Sequence, residues 1–169
     1  MQVEIGQIAP NFALFNTEKN KESLSDYKGK EVVLLFFPLA FSGVCTKEMC
    51  SIRDTMSVYN ALDVVVIGIS VDSLFTLDKF KKEHQLEFTL LSDFNKEAAT
   101  AYGCLTPTFA FEMHGVAKRS VFVIDKEGII RHMEILESPG DMPNFEQVQA
   151  SLHLPWRYAK FRASASKFA

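Results

Sequence analysis

The chain has 169 residues and a formal net charge of -3, which fits one domain built around one core and gives no general attraction to nucleic acid. With 47% hydrophobic and 23% charged residues and no apolar run near the roughly 20 residues of a membrane span, a soluble protein with no membrane partner is expected. The opening residues Met1 to Gly6 carry an acid and no basic or long apolar run, so they do not resemble a secretory signal and the cytoplasm is the expected location.

Charge is spread unevenly. Residues 157 to 169 hold Arg157, Lys160, Arg162 and Lys167 and no acid, so residues 1 to 156 are read as the folded domain and 157 to 169 as a basic, solvated tail.

In chain order, residues 7 to 14 read as a short extended entry, and Gly29 marks a stop before the first strong element. Residues 31 to 37 form an unbroken apolar run after Glu31, the pattern of a strand covered on both faces. Pro38 closes it. Met49, Ile52, Met56 and Tyr59 then recur at the spacing of one helix face, predicting a helix over 44–60. A second buried strand is predicted over 64–70, a helix over 74–84, a short strand over 88–91 and a helix over 94–102 closed by Gly103. Residues 120–124 and 129–135 flank Asp125-Lys126-Glu127-Gly128 as a hairpin, and a last helix covers 144–152. This order, βαβα followed by a hairpin and a helix, predicts an α/β thioredoxin-like fold with a central mixed sheet flanked by helices. Phe36, Phe37, Phe109 and Phe111 read as core.

The chemistry concentrates where the first strand gives way to the first helix. There a buried strand delivers Pro38, Ser42 and Cys45 to a helix N-terminus, whose unpaired N–H groups and dipole favour an anion, so the Cys45 thiol should ionise more easily. A thiol near pKa 8.5 is only about 3% ionised at pH 7, so ionisation alone can add at most roughly thirtyfold in rate. Any larger acceleration must come from donors aimed at the group the thiolate attacks, where negative charge builds in the transition state. Ser42 at the helix cap and Arg119, just before the 120–124 strand, are the candidates, with Pro38 shielding the sulfur from water.

The run Pro38-Leu39-Ala40-Phe41-Ser42-Gly43-Val44-Cys45 resembles the signature of the peroxiredoxin family (the AhpC/TSA superfamily): Pro, three residues, Thr or Ser, two residues, and the peroxidatic Cys. Arg119, within Lys118-Arg119-Ser120-Val121, resembles that family's distant Arg partner, and Ala9-Pro10-Asn11-Phe12, Gly68-Ile69-Ser70-Val71-Asp72 and Leu90-Leu91-Ser92-Asp93 are further matches. The chain is most similar to the bacterioferritin comigratory protein (Q-like) and alkyl hydroperoxide reductase E branches. The resemblance implies reduction of hydrogen peroxide and organic hydroperoxides through a Cys45 sulfenic acid, without a cofactor or metal. It implies a thioredoxin or similar thiol reductant as partner, and a monomer or homodimer. Ser42 departs from the commoner Thr, keeping the hydroxyl but losing the methyl that fixes its rotamer.

The resemblance also implies a resolving role for Cys50 and a supporting one for Glu48, which could hydrogen-bond the active-site Arg or be an ordinary first-turn acid. Residues five apart on an intact helix have Cα atoms roughly 8.6 Å apart, beyond the limit of about 7 Å for a disulfide, so a Cys45–Cys50 bond requires unwinding. Cys104 is read as structural, or as a substitute resolver. Two alternatives stay open: a one-cysteine enzyme resolved by an external thiol, and a redox-sensing module with little turnover. The chain has no CxxC, no glycine-rich phosphate loop and no close pairing of its four histidines, so disulfide-reductase, nucleotide-binding and metal readings are not favoured.

Overall fold

The computed structural model describes residues 3–152; the basic tail lies outside them. Among the described residues a seven-stranded mixed sheet runs in the order β2-β1-β5-β4-β3-β8-β9, with β2 (Lys21–Ser23) and β1 (Ala13–Asn16) at one edge. Its centre is the parallel set β3 (Glu31–Phe36), β4 (Val64–Ser70) and β5 (Thr89–Ser92), with β8 (Ser120–Ile124) antiparallel to β3 and β9 (Ile130–Ile135) antiparallel to β8. Helices α1 (Gly43–Ala61), α2 (Leu74–Glu83), α3 (Glu97–Ala101) and α4 (Phe145–Ser151) flank it. The α/β thioredoxin-like architecture read from the element order is the one observed.

The core is two-sided because β3 is buried on both faces. Val33, Leu35 and Phe37 point into one cluster with Met49, Ile52, Met56 and Tyr59 of α1, Leu77 and Phe80 of α2, and Val148 of α4. Val32, Leu34 and Phe36 point into the opposite cluster with Ala98, Ala99, Tyr102 and Cys104. This period-two division explains why the run shows no apolar-polar alternation. Gly68 sits where β4 passes beneath α1, and a Cβ there would come within 2.6 Å of Leu90 Cδ2 and 3.6 Å of Met49 Sδ.

Several elements differ from the sequence reading. The entry segment is an edge hairpin, β1 (Ala13–Asn16) with β2 (Lys21–Ser23), followed by a 3-10 turn over Leu24–Tyr27. Its turn is built by the Asn16 side chain, whose Oδ1 accepts from the Glu18 and Asn20 N–H groups at 2.8 and 2.9 Å, chemistry that takes the place of glycine. The helix predicted over 94–102 starts later, because Asp93 accepts from the N–H groups of Ala98 and Ala99 at 3.0 and 2.8 Å and caps it there. A two-stranded ribbon, β6 (Leu105–Thr106) with β7 (Val116–Ala117), was not foreseen. Between its strands Phe111 is 94% exposed on a turn with φ 57°. The core assignment of Phe111 is therefore wrong: among the described residues it lies on a surface loop that no element covers.

Candidate active site

Strand register assembles the site. In the β3–β8 ladder Phe36 lies opposite Ser120, so the next pair outward brings Arg119 beside Phe37 at the mouth of α1. Arg119 shares parity with Val121 and Val123, which face α1, so its side chain is directed under that helix rather than to the opposite face.

Cys45 lies in the first turn of α1, 1% exposed, with Ser42 as N-cap. The first rung of the helix is Thr46 N–H to Ser42 O at 2.9 Å, so the N–H groups of Gly43, Val44 and Cys45 precede the ladder and face the region where an anion would be held. Arg119 Nη2 donates to Cys45 Sγ at 3.4 Å and to the Pro139 carbonyl at 3.2 Å, while Nη1 is bonded to Glu48 Oε2. Glu48 follows Cys45 by three residues and so shares its helix face. Both partners of this ion pair are at most 1% exposed.

Burial pushes Glu48 up to about 7 even with Arg119 against it. Arg119 loses from burial but gains more from Glu48 and Cys45, which raise it and keep it protonated. The guanidinium is thus a fixed cation clamped at three points, with one edge on the sulfur.

Ser42 is placed at the cap as foreseen, but its hydroxyl donates to Leu39 O at 2.9 Å. With its one proton engaged, it has lone pairs free to accept a hydrogen bond from a substrate O–H. Pro38 is buried. Together with Arg119, Thr106, Thr108, Phe109 and Pro139 it lines a cavity of about 130 Å³. A larger hollow of about 410 Å³ lies by Phe15, Phe75 and Phe94, but no thiol or histidine lines it.

Cys50 is half-buried inside the intact α1, and all three thiols are free. Cys104 sits in the core on the far side of the sheet from Cys45, and burial pushes its thiol up to about 12. Reaching Cys45 would require crossing the sheet. No group of three or more potential metal ligands occurs among the described residues, and no described helix is long and apolar enough to cross a membrane.

The Pro139 carbonyl and the Thr106–Phe109 wall were absent from the sequence reading. Nothing local marks them, since Pro139 touches Arg119 through its backbone and the wall comes from the unforeseen ribbon.

The chain matches the AhpC/TSA family over residues 5–133. It is 43% identical over 130 residues to peroxiredoxin Bcp of Bacillus subtilis, covering 76% of this chain and 82% of that protein. Against the peroxiredoxin bcp of Coxiella burnetii it is 42% identical over 132 residues, covering 77% and 87%. The crystal structure of peroxidoxin BcpB from Mycobacterium tuberculosis superimposes with a TM-score of 0.79 at 26% identity, covering 89% of this chain and 97% of that one. With a thiol at a helix N-terminus under a buried guanidinium, and with these relatives, the chain belongs to the AhpC/TSA family: it is a peroxiredoxin, a thiol-dependent peroxidase.

Proposed function

We propose that Cys45 is the peroxidatic thiol and that Arg119, Ser42 and Pro38 complete its site. The Cys45 thiolate attacks the terminal oxygen of a hydroperoxide; the S–O bond forms as the O–O bond breaks, and the departing alkoxide or hydroxide takes up a proton. The products are a Cys45 sulfenic acid and an alcohol or water. Arg119 stabilises the charge as it passes from sulfur to the leaving oxygen, Ser42 orients the peroxide by accepting its O–H, and Pro38 keeps water from the sulfur. Glu48 holds the guanidinium in place. The observation that carries this reading is the 3.4 Å contact from Arg119 Nη2 to Cys45 Sγ, made between two buried side chains.

Cys50 is the resolving thiol in this reading. Its thiolate attacks the Cys45 sulfur, the S–O bond breaks, the departing hydroxide takes up a proton to leave as water, and a disulfide forms that a thioredoxin-type dithiol reduces by exchange. Since α1 is continuous through both cysteines, the first turns unwind before the bond can close. That same continuity favours a second reading, in which an external thiol resolves the sulfenic acid. Peroxide consumption with thioredoxin recycling, run on wild type, Cys45→Ser and Cys50→Ser, tests both. Loss of turnover in the first variant and slowed recycling with an unchanged initial reaction in the second support the main reading. Normal recycling in Cys50→Ser selects the external thiol, and turnover in Cys45→Ser removes the reading altogether.

A further inference from the structure

We infer that Asp72 is a positioning residue for the peroxide reaction, holding the Pro38–Ser42 loop in the bend that presents Ser42 and the first turn of α1 to the substrate. This rests on Cys45 being the peroxidatic thiol. Asp72 lies after β4, yet its Oδ2 accepts from the Ala40 N–H at 2.7 Å across 32 residues of sequence. The same oxygen accepts from the Ser70 hydroxyl at 2.7 Å, and Ser70 Oγ in turn accepts from the Asp72 N–H at 3.2 Å. Ser92, at the end of β5, donates to the Asp72 carbonyl at 2.6 Å. The ends of two parallel strands are thereby tied to the loop that begins at the end of the third.

The bend needs holding. Phe41, next to Ala40, has φ 64°, a left-handed conformation that is costly for an aromatic residue and persists only where its surroundings impose it. Its ring packs edge-on against Phe80 at 5.1 Å and near His84 at 6.1 Å, which fixes one side of the bend; the Asp72 carboxylate fixes the other through a charge-assisted bond to the backbone. Helix capping does not account for Asp72, because the N-cap of α2 is Ser73, whose hydroxyl accepts from the Thr76 N–H at 3.2 Å. With the bond removed, the strained bend is free to relax and both Ser42 and the α1 N-terminus shift, and a misplacement of about 1 Å at a reacting centre can cost about a hundredfold in rate.

The test is the second-order rate of Cys45 sulfenic acid formation with hydrogen peroxide, together with amide exchange over residues 43–49, in wild type, Asp72→Ala, Asp72→Asn and Cys45→Ser. Asp72→Ala is expected to react about ten- to a hundredfold more slowly and to exchange faster at 43–49 than in the remainder of the chain. Asp72→Asn, which keeps an acceptor oxygen, is expected to restore both to within a few-fold of wild type. An unchanged rate in Asp72→Ala overturns the inference, as does an Asp72→Asn variant no better than Asp72→Ala or exchange raised evenly over the whole domain. Should Asp72→Ala not fold, Ser70→Ala removes one of the two donors to the carboxylate and carries the same comparison, an unchanged rate and unchanged exchange again overturning it. Peroxide reduction by Cys45→Ser would sink the assignment of the thiol itself, whereas an inactive Cys45→Ser beside a fully active Asp72→Ala sinks only the role of Asp72.

Discussion

Arg119 Nη2 stands 3.4 Å from Cys45 Sγ although 74 residues separate the two in sequence. Both side chains are 1% exposed, so the contact is made away from water, where a charge-assisted hydrogen bond has more weight than at the surface. Arg119→Ala should slow the reaction of Cys45 with peroxide by about 10- to 100-fold, the loss of one to two such bonds. Arg119→Lys should recover little of this, since one ammonium cannot reach Glu48, Cys45 and the Pro139 carbonyl in the same fixed fork. Stopped-flow rates for the two variants check both statements.

Removing the guanidinium also leaves Glu48 buried without its partner. Arg119→Ala should therefore lose about 3 to 5 kcal/mol of stability, and adding Glu48→Gln should return part of it. Urea denaturation of the single and double variants measures the coupling.

Glu48 further predicts how stability depends on pH. Its carboxyl is raised by burial from 4.5 to about 7 in the folded protein, so the native state binds this proton more tightly than the unfolded chain does. Its contribution is fully present below pH 4.5 and is lost as pH rises through about 7. Unfolding free energies measured across that range should fall by less with rising pH in Glu48→Gln than in wild type.

Cys104, raised to about 12 by burial, should resist alkylation in the folded protein at pH 8 while Cys50 is labelled. Mass spectrometry of iodoacetamide-treated protein locates the modified thiols. Cys104→Ala should keep full peroxidase turnover; loss of disulfide formation in that variant would return Cys104 to the list of resolving thiols.

Gly68 has no room for a side chain, with Leu90 Cδ2 2.6 Å and Phe37 Cε1 3.4 Å from a Cβ placed there. Gly68→Ala should cost about 1 to 3 kcal/mol through overpacking beneath α1, read as a lower denaturation midpoint.

Much of the fold and of the candidate site's arrangement could be read before the structure because their signals are local. The apolar run of β3, the helical spacing of Met49, Ile52, Met56 and Tyr59, and the cluster Pro38, Ser42 and Cys45 lie within 29 consecutive residues, 31 to 59. Arg119 was legible for a different reason, through resemblance of its surroundings to a family pattern. What escaped depends on long-range partners or on weak local signals. The Asp72 carboxylate meets an amide 32 residues away, and the Pro139 contribution is a backbone carbonyl that any residue type could supply. The edge hairpin has strands of four and three residues, too short for alternation to show, and its turn relies on an Asn side chain. Phe111 misled because an aromatic residue between strands usually reports burial, whereas here it caps an exposed turn.

The most direct test of the account is the second-order rate constant of the reduced wild-type protein with hydrogen peroxide, followed as loss of the Cys45 thiol. A preorganised guanidinium and helix terminus predict a value at least about a thousandfold above that of a fully ionised free cysteine. A value equal to that of the free thiolate would show that Arg119 and the α1 N-terminus contribute nothing to breaking the O–O bond.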